Sequence, residues 1–195
     1  MDVAAFASRF PAAQDLAGKD MPSFRVAGSD LLAAVRFLRD EQGFDLLADL
    51  CGAEWKDRPV RFGVVLHLLS TTRKEYVRLH VDAANDRVPS VSSLHPGANW
   101  HEREAYDMFG IVFEGHPDLR RILMWDAYPH HPLRKDFPLA GIEVELPAAD
   151  VAEATGKKVV PAPMMGGPFV SHGGKLSEGE PTALDQSWNE QHPKA

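Results

Sequence analysis

Cysteine is almost absent from this 195-residue sequence, in which Cys51 is the one thiol. A single cysteine cannot form an internal disulfide, and it cannot supply the several thiolates that an iron–sulfur cluster or a structural zinc site requires. The sequence also has no glycine-rich phosphate-binding loop of the kind that opens dinucleotide-binding domains. We therefore expect the chain to bind no flavin, cluster or nicotinamide, so that any redox role uses a cofactor held by another protein.

Long hydrophobic runs are missing too. The longest, from Phe62 to Leu69, is interrupted by His67 and is the length of a strand, far short of the ~20 apolar residues that span a bilayer. Asp2 and Pro11 stand where a targeting signal would have a basic region followed by an apolar one. We expect a cytoplasmic chain that does not cross a membrane.

An excess of positive charge is likewise absent. The chain has 21 basic and 28 acidic residues, which gives a net charge of −7 with histidine neutral. This sign opposes nonspecific electrostatic binding to nucleic acid, so we expect no nucleic-acid partner. Hydrophobic residues make up 44% and charged residues 25% of the chain, as in an ordinary soluble globular protein.

The first part of the chain shows helical patterns on either side of a short extended segment. An amphipathic helix is predicted at residues 3–10 and an extended segment at residues 23–26. Apolar residues then recur at helical spacing between Ser29, the predicted N-cap, and Gly43, which is placed to end the helix.

A hairpin follows these helices. Residues 60–70 form a continuous apolar run, and residues 75–82 alternate strictly between apolar and polar side chains. We expect an antiparallel pair, with the first strand buried on both faces and the second on one, and a third strand at residues 88–94. The predicted fold class is α+β, an antiparallel β-hairpin or sheet body packed with helices and followed by an extended Pro/Gly-rich C-terminal tail.

The C-terminal segment differs in composition from the rest. Residues 147–195 contain six prolines and six glycines but only eight residues of the types Leu, Ile, Val, Phe, Trp and Tyr. Such a segment buries too little apolar surface to offset its ordering entropy by itself. We therefore predict a domain at residues 1–145 and a tail at residues 146–195 that orders on partner subunits, with anchors at Phe169, Leu176 and Trp188. A flexible tail with incidental apolar residues is the alternative.

Residues 95–141 combine most of the unusual features of the sequence. Asn99 is placed to cap a helix that begins at Trp100, and Gly110 is placed to end it. On a helix of ~3.6 residues per turn, Glu104 projects between Trp100 and Met108. We therefore expect Glu104 to be covered and to need a cationic or hydrogen-bonding partner.

A second helix is predicted after Pro117, with Arg120 and Arg121 free to meet the carboxylates of the first. Three prolines then forbid a regular helix and present an extended loop from Pro129 to Pro138. We expect Arg103 to pair with Asp107 at i and i+4, and the charges together to fasten the hairpin body to this loop.

These residues resemble a known family. The spacing is that of the signature of the respiratory complex I 30 kDa subunit, and it is carried by Glu102, Arg103, Glu104, Asp107, Met108, Phe109, His116, Arg120, Ile122 and Leu123. A second motif of the same family follows at His131, Pro132, Leu133, Arg134, Lys135, Asp136, Phe137 and Pro138. The resemblance covers roughly residues 24–141, and it departs at His130, where the family commonly has glycine.

The resemblance implies a non-catalytic structural and assembly subunit, since the family has no redox centre of its own. It implies a place in the peripheral arm of NADH–quinone oxidoreductase, on the cytoplasmic side of the cell membrane. The implied partners are the large quinone-site subunit of the 49 kDa family and neighbouring iron–sulfur subunits. The complex as a whole is expected to use FMN, iron–sulfur clusters, NADH and quinone, and to couple electron transfer to proton translocation.

Two other functions compete with this one. The same pattern fits the equivalent subunit of a membrane-bound hydrogenase or of a ferredoxin- or F420-linked complex. A metal-dependent hydrolase is a distant alternative, because five histidines lie between His95 and His131. Their spacing opposes it, since Ala105 stands where a zinc-protease helix that opens at His101 and Glu102 would place its second histidine.

Overall fold

The computed structural model describes residues 1–138, and the predicted tail and its three anchors lie outside the described residues. The helices of this part are α1 (Val3–Arg9), α2 (Gly28–Asp40) and α3 (Ala98–Phe109), with a short 3-10 turn at Ala84–Asp86. Its strands are β1 (Gln14–Asp15), β2 (Ser23–Val26), β3 (Leu46–Glu54), β4 (Phe62–Ser70), β5 (Glu75–Asp82), β6 (Arg87–Pro89) and β7 (Val112–Glu114).

Five strands form one mixed sheet in the order β1-β2-β5-β4-β3. The predicted hairpin is confirmed, because β4 and β5 pair antiparallel with Leu66 opposite Leu79. Most of β4 is buried on both faces, whereas β5 buries alternate residues, as the two patterns predicted. The pairing of β2 with β5 is parallel, whereas β1 pairs with β2 and β3 with β4 antiparallel.

The helices pack on one face of this sheet. Phe24, Leu79, Leu66 and Leu50 lie in register across four strands of that face, and all are buried. The α1 residue Phe6 stacks against Phe24 with ring centroids 4.7 Å apart. Strands β2, β3, β4 and β5 thus each contribute buried apolar residues to this face. The core therefore lies between this face and the helices.

The opposite face carries polar and half-exposed side chains. A lone cysteine is more often a small core residue than a surface one, but Cys51 lies on this face and is exposed. Its neighbours in register, Val65 on β4 and His80 on β5, belong to the same face. Partial burial, followed by the charges of Asp49 and Glu104, raises the pKa of the Cys51 thiol. The alternation of side chains along β3 directs Cys51 away from the helices.

Two strand predictions need correction. Strand β3 was not anticipated, since its burial pattern alternates irregularly across a bulge between Leu47 and Asp49. The third strand expected at residues 88–94 is shorter and belongs elsewhere, because β6 pairs parallel with β7 in a separate two-stranded sheet. After Pro89 the chain turns, and the Leu94 amide donates to the Val91 carbonyl at 2.9 Å.

The helix ends also differ in part from expectation. The N-cap of α2 is Ala27 and that of α3 is Gly97, so neither Ser29 nor Asn99 caps its helix. Gly110 ends α3 in the left-handed conformation, as predicted, with φ of 78°.

Gly52 is the point at which α3 packs closely against β3. A Cβ atom there would lie 2.6 Å from Cδ2 of Phe109 and 3.3 Å from the Cβ of Ala105. We predict that Gly52→Val separates α3 from the sheet and lowers the free energy of unfolding by ~1–3 kcal/mol, measured by urea denaturation. The control is Cys51→Val, which places the same side chain on the opposite, open face and should change the free energy of unfolding little. An equal loss of stability in both variants would contradict the close packing at Gly52.

Candidate functional site: the third helix and the segments bound to it

Helix α3 places the signature carboxylates in different environments. Glu102 and Asp107 are fully buried, whereas Glu104 is exposed. This reverses the expectation that Glu104 is the covered acid. Its apolar neighbour Trp100 lies on the solvent side and is 60% exposed, whereas Glu102 shares the inward face with Ala105. Apolar neighbours on a helix therefore did not identify the buried side.

Asp107 organises the segment that follows β7. Its Oδ2 accepts hydrogen bonds from the amides of Ile122, Leu123 and Met124 at 3.0, 2.7 and 2.8 Å. Its Oδ1 lies 2.5 Å from the Arg121 guanidinium, whose side chain is nearly buried. Burial alone raises the pKa of Asp107, but the three amides and Arg121 outweigh it, and the net pKa is lowered.

The helix predicted after Pro117 is wrong. The structure has no helix or strand between residues 117 and 138, and the amides of residues 122–124 point at one carboxylate instead of at preceding carbonyls. A side-chain acceptor therefore takes the place of backbone acceptors in this segment.

Arg103 also has partners that differ from the expected pair with Asp107. Its Nε donates to the Arg120 carbonyl at 3.2 Å, and its second terminal nitrogen donates to the Arg121 carbonyl at 3.1 Å. Its guanidinium lies 5.1 Å from the ring centroid of Trp100. Helix α3 thus supplies an acceptor, Asp107, and a donor, Arg103, to residues 120–124. Both are needed because these residues form neither a helix nor a strand that would pair their backbone groups.

The loop motif is bound to the C-terminal end of α3. His131 Nδ1 donates to the Asp107 carbonyl at 2.9 Å, and the Leu133 amide donates to the Met108 carbonyl at 3.1 Å. Arg134 Nε donates to the Phe109 carbonyl at 2.6 Å. Three of the carbonyls that a helix end leaves without partners are therefore satisfied by this motif.

Glu54, which no sequence motif singled out, connects the loop motif to the sheet. This buried residue at the end of β3 accepts from the Lys135 amide at 2.6 Å and from Arg61 Nε at 2.7 Å. The sequence feature that could have identified Glu54 is an acidic residue at an inward-facing position of a strand. That feature can be recognised only after β3 has been assigned. Glu54 thus links the loop to the sheet body, whereas the sequence predicted that the α3 carboxylates and the paired arginines make this link.

Gly110 allows the loop motif to approach α3. A Cβ atom at this position would lie 2.7 Å from His131 Nε2 and would also clash with the Arg134 guanidinium. The departure from the family at His130 is accommodated without a left-handed backbone, because His130 is not among the residues with positive φ. Its ring packs edge-on against Tyr128 at 5.6 Å.

Glu102 and His116 form a separate buried group. Glu102 accepts from Ser90 Oγ at 2.6 Å and from the Val91 amide at 2.7 Å. His116 Nε2 lies 3.9 Å from Glu102 Oε2, and both side chains are inaccessible to solvent. Burial raises the pKa of Glu102 from 4.5 to about 7, against the opposing effect of the hydrogen bonds from Ser90 and the amides of Val91 and Ser92.

Apolar side chains on or beside α3 remain exposed. Trp100 is 60%, Leu123 is 62% and Leu133 is 54% exposed. We call Trp100, Leu123 and Leu133 the exposed apolar trio.

The other residues of the two motifs are placed as follows. Met108 is buried, Phe109, Ile122 and Phe137 are partly buried, and Arg120 pairs with Asp118 at the surface.

Metal binding finds no support in residues 1–138, where no three side chains of His, Cys, Asp or Glu are grouped so that they could hold an ion. His101, the first histidine of the zinc-protease pattern, lies 3.6 Å from Asp49. Two surface cavities of about 380 and 410 Å³ border residues 20–22, away from the signature residues.

We predict that Asp107→Asn lowers the free energy of unfolding by ~3–5 kcal/mol. Asparagine has one acceptor oxygen where the carboxylate has two, so its NH₂ group would face N–H donors. Arg121 would also lose its counter-charge. Asp118→Asn, which changes an exposed pair, is the matched control and should cost under ~1 kcal/mol. Urea denaturation of the full chain measures both.

The pH dependence gives a second measure of Asp107. Since its native pKa is lowered, its contribution is complete above the ordinary carboxyl pKa of ~4 and is lost as pH falls through the native value. Below pH ~4 the stability difference between the wild-type chain and Asp107→Asn should therefore narrow. A constant difference down to pH ~2 would contradict the assignment.

Comparison with known proteins gives a consistent result. Residues 24–143 match the family model described as "Respiratory-chain NADH dehydrogenase, 30 Kd subunit". The NADH-quinone oxidoreductase C subunit of Rhizobium leguminosarum bv. trifolii is 49% identical over 142 residues, which cover 70% of this chain and 68% of that protein. The protein of the same name from Phenylobacterium zucineum is 50% identical over 112 residues, covering 57% of this chain and 54% of the relative. The chain thus spans from about half to two thirds of the length of these relatives.

Solved structures agree with the sequence comparison. A trypsin-resistant fragment (1-134) of Nqo5 is 30% identical, with a TM-score of 0.53 over 61% of this chain and 100% of the fragment. A chain of the membrane-bound sulfane sulfur reductase, an archaeal respiratory membrane complex, has a TM-score of 0.61 over 90% of this chain and 96% of its own length, and at 21% identity it shows the fold alone. On the family match and the relatives together, the chain belongs to the family of the 30 kDa subunit of the respiratory-chain NADH dehydrogenase.

Proposed function

We propose that the chain is a non-catalytic structural and assembly subunit of the peripheral arm of NADH–quinone oxidoreductase, complex I. In that role it supports electron transfer from NADH to quinone coupled to proton translocation. Family membership and the names of the relatives support the NADH-linked complex over the hydrogenase and the ferredoxin- or F420-linked alternatives.

The observation that carries the proposal is the use of the signature residues within the chain itself. The oxygens of Asp107 and Glu102 accept hydrogen bonds from the protein's own amides, hydroxyl and guanidinium. Arg103 and Arg134 donate to backbone carbonyls. Groups so engaged hold two irregular segments in shape, and a substrate would have to displace those bonds to reach them.

The exposed apolar trio is the surface through which we expect the chain to bind a partner subunit. Tryptophan and arginine are enriched among the residues that dominate binding at protein interfaces, and Trp100 lies against the guanidinium of Arg103. We propose that they contact the large quinone-site subunit of the 49 kDa family, with iron–sulfur subunits as further neighbours. FMN, iron–sulfur clusters, NADH and quinone then belong to the complex and are held by those other subunits.

The membrane association follows from the complex. Within the part of the chain that the structure describes, no helix is both long and apolar enough to pass through a bilayer. We propose a peripheral position on the cytoplasmic side of the cell membrane, reached through partner subunits.

The interface is tested by Trp100→Ala combined with Leu123→Ser in a tagged full-length chain expressed in its own host. Because both side chains are exposed, the melting temperature of the purified chain should stay unchanged. Affinity for the quinone-site subunit should fall by at least about 30-fold if one of the two sites is a hot spot of ~2 kcal/mol, and the yield of assembled complex should fall with it.

Tyr76→Ala is the matched control, since Tyr76 is 42% exposed on β5 and remote in sequence from α3. Normal assembly in the double variant would remove the proposed surface while leaving the family assignment intact. Co-purification of a hydrogenase large subunit with nickel-ligating cysteines, in place of NADH-oxidising subunits, would instead support the alternative complex.

The C-terminal segment is part of the same proposal. We propose that residues 146–195 contact partner subunits through Phe169, Leu176 and Trp188, each contributing on the order of 1.5–3 kcal/mol on burial. Truncation after residue 145 should reduce the yield of complex and its quinone reductase activity. A variant with Ser171→Ala and Ser177→Ala, which keeps the anchors, is the control, and full assembly of the truncated chain would make the segment dispensable.

A further inference from the structure

Glu102 and Asp107 are buried carboxyl groups on one helix, but their hydrogen-bond partners differ in kind. The hydrogen bonds to the Asp107 carboxylate come from N–H groups, three of them amides and one the guanidinium of Arg121. An N–H can donate but cannot accept, so a proton on Asp107 would meet donors only. The surroundings of Asp107 therefore fit its ionised form.

Glu102 has a fixed N–H donor at one oxygen only, because its Oε1 accepts from the Val91 amide at 2.7 Å whereas its Oε2 faces a hydroxyl group. Its Oε2 lies 2.6 Å from Ser90 Oγ, which in turn lies 2.7 Å from Ser92 Oγ. Hydroxyl groups both donate and accept. With Glu102 ionised, Ser92 donates to Ser90 and Ser90 donates to Glu102. With Glu102 protonated, the direction reverses along the same three atoms, so each protonation state has a complete set of hydrogen bonds.

The groups facing Glu102 from the neighbouring elements do not supply a compensating cation. The His116 ring accepts at Nδ1 from the Asp118 amide at 3.0 Å, which leaves its proton on Nε2, 3.3 Å from the Asn99 carbonyl. That arrangement is the neutral imidazole. Among residues 1–138, no lysine or arginine forms an ion pair with Glu102.

The causes of the Glu102 pKa shift are burial and the hydrogen bonds from Ser90, Val91 and Ser92, and no charged residue is among them. The charges that act on His95, in the turn that follows Ser92, are those of Arg39, Asp40 and Asp45. Arg103, adjacent on α3, donates to carbonyls of the segment bound by Asp107. A buried carboxylate without a paired cation is costly, whereas a buried neutral carboxyl with a hydrogen-bond acceptor is not.

We propose that Glu102 is a buried proton-binding site, which takes up one proton through the Ser90 and Ser92 hydroxyl pair while the fold stays intact. A hydronium ion of the solvent gives its proton to Ser92 and is left as water, Ser92 passes its own proton to Ser90, and Ser90 passes its own to Glu102 Oε2. Both hydroxyl groups are restored, and Ser90 now accepts from Glu102 and donates to Ser92. Ser92 is partly exposed and gives the site a path to solvent. The shift of the Glu102 pKa to about 7 places this exchange near neutral pH.

The proposal fixes the sign of a pH effect. In the unfolded chain Glu102 ionises at its ordinary value of 4.5, whereas the folded chain keeps the proton up to about pH 7. The stability from this proton is complete below the lower value and is lost as pH rises through the upper one. Between them the unfolding equilibrium constant should rise by up to about tenfold per pH unit from this group.

The test compares the full-length chain with Glu102→Gln, and with Glu104→Gln as a matched control on the same helix. Glutamine can accept from Val91 and donate to Ser90, but it does not titrate. Urea unfolding between pH 5 and pH 8 should give the same pH slope for the wild-type chain and the control, and a flatter slope for Glu102→Gln. Parallel slopes for all three would overturn the proposal.

A second measurement does not depend on any variant. The infrared carbonyl stretch of a protonated carboxyl should be present in the folded wild-type chain at pH 6 and should disappear reversibly by pH 8 without unfolding. Folding is followed in the same samples by circular dichroism. Absence of the band at pH 6, or its loss only on unfolding, would overturn the proposal even if Glu102→Gln failed to fold.

Discussion

The hydrogen bonds of the Asp107 carboxylate are the interaction on which the rest of the site depends. The chain after β7 forms neither helix nor strand up to residue 138, so its backbone polar groups need partners from elsewhere. One oxygen of Asp107 accepts from three successive amides, and Arg103 donates to the two carbonyls before them. A single helix thus replaces the regular hydrogen bonding that this segment lacks, and fixes its path.

The same helix positions the loop motif mainly through the carbonyls at its C-terminal end. The left-handed turn at Gly110 stops α3 and leaves carbonyls open, and the His131 and Arg134 side chains donate to two of them. Glu54 then links the motif to β3 through the Lys135 amide. The signature residues therefore hold the sheet, α3 and the loop motif together. This arrangement fits the proposed role of a structural subunit that binds partner subunits through its surface.

The physical contrast between Asp107 and Glu102 explains why charge alone was a poor guide to this unit. Both are buried, yet fixed N–H donors hold one as an anion, whereas a hydroxyl pair accommodates either form of the other. Glu104 is exposed although it lies between two apolar residues of the helix, of which Trp100 is exposed and Met108 is buried. Helical projection gives the angle between side chains, but it does not say which side another element covers.

The sequence by itself determined the α+β class, the β4–β5 hairpin, the helix ending at Gly110 and the family, because these rest on local periodicity, turn chemistry and residue spacing. Only the tertiary structure decided the place of β3, the parallel pairing of β6 with β7, and the partners of the signature charges. Each of these depends on contacts between residues far apart in the chain, such as Lys135 with Glu54. The predicted second helix failed for that reason, since three amides found a better acceptor in Asp107 than their own backbone offered.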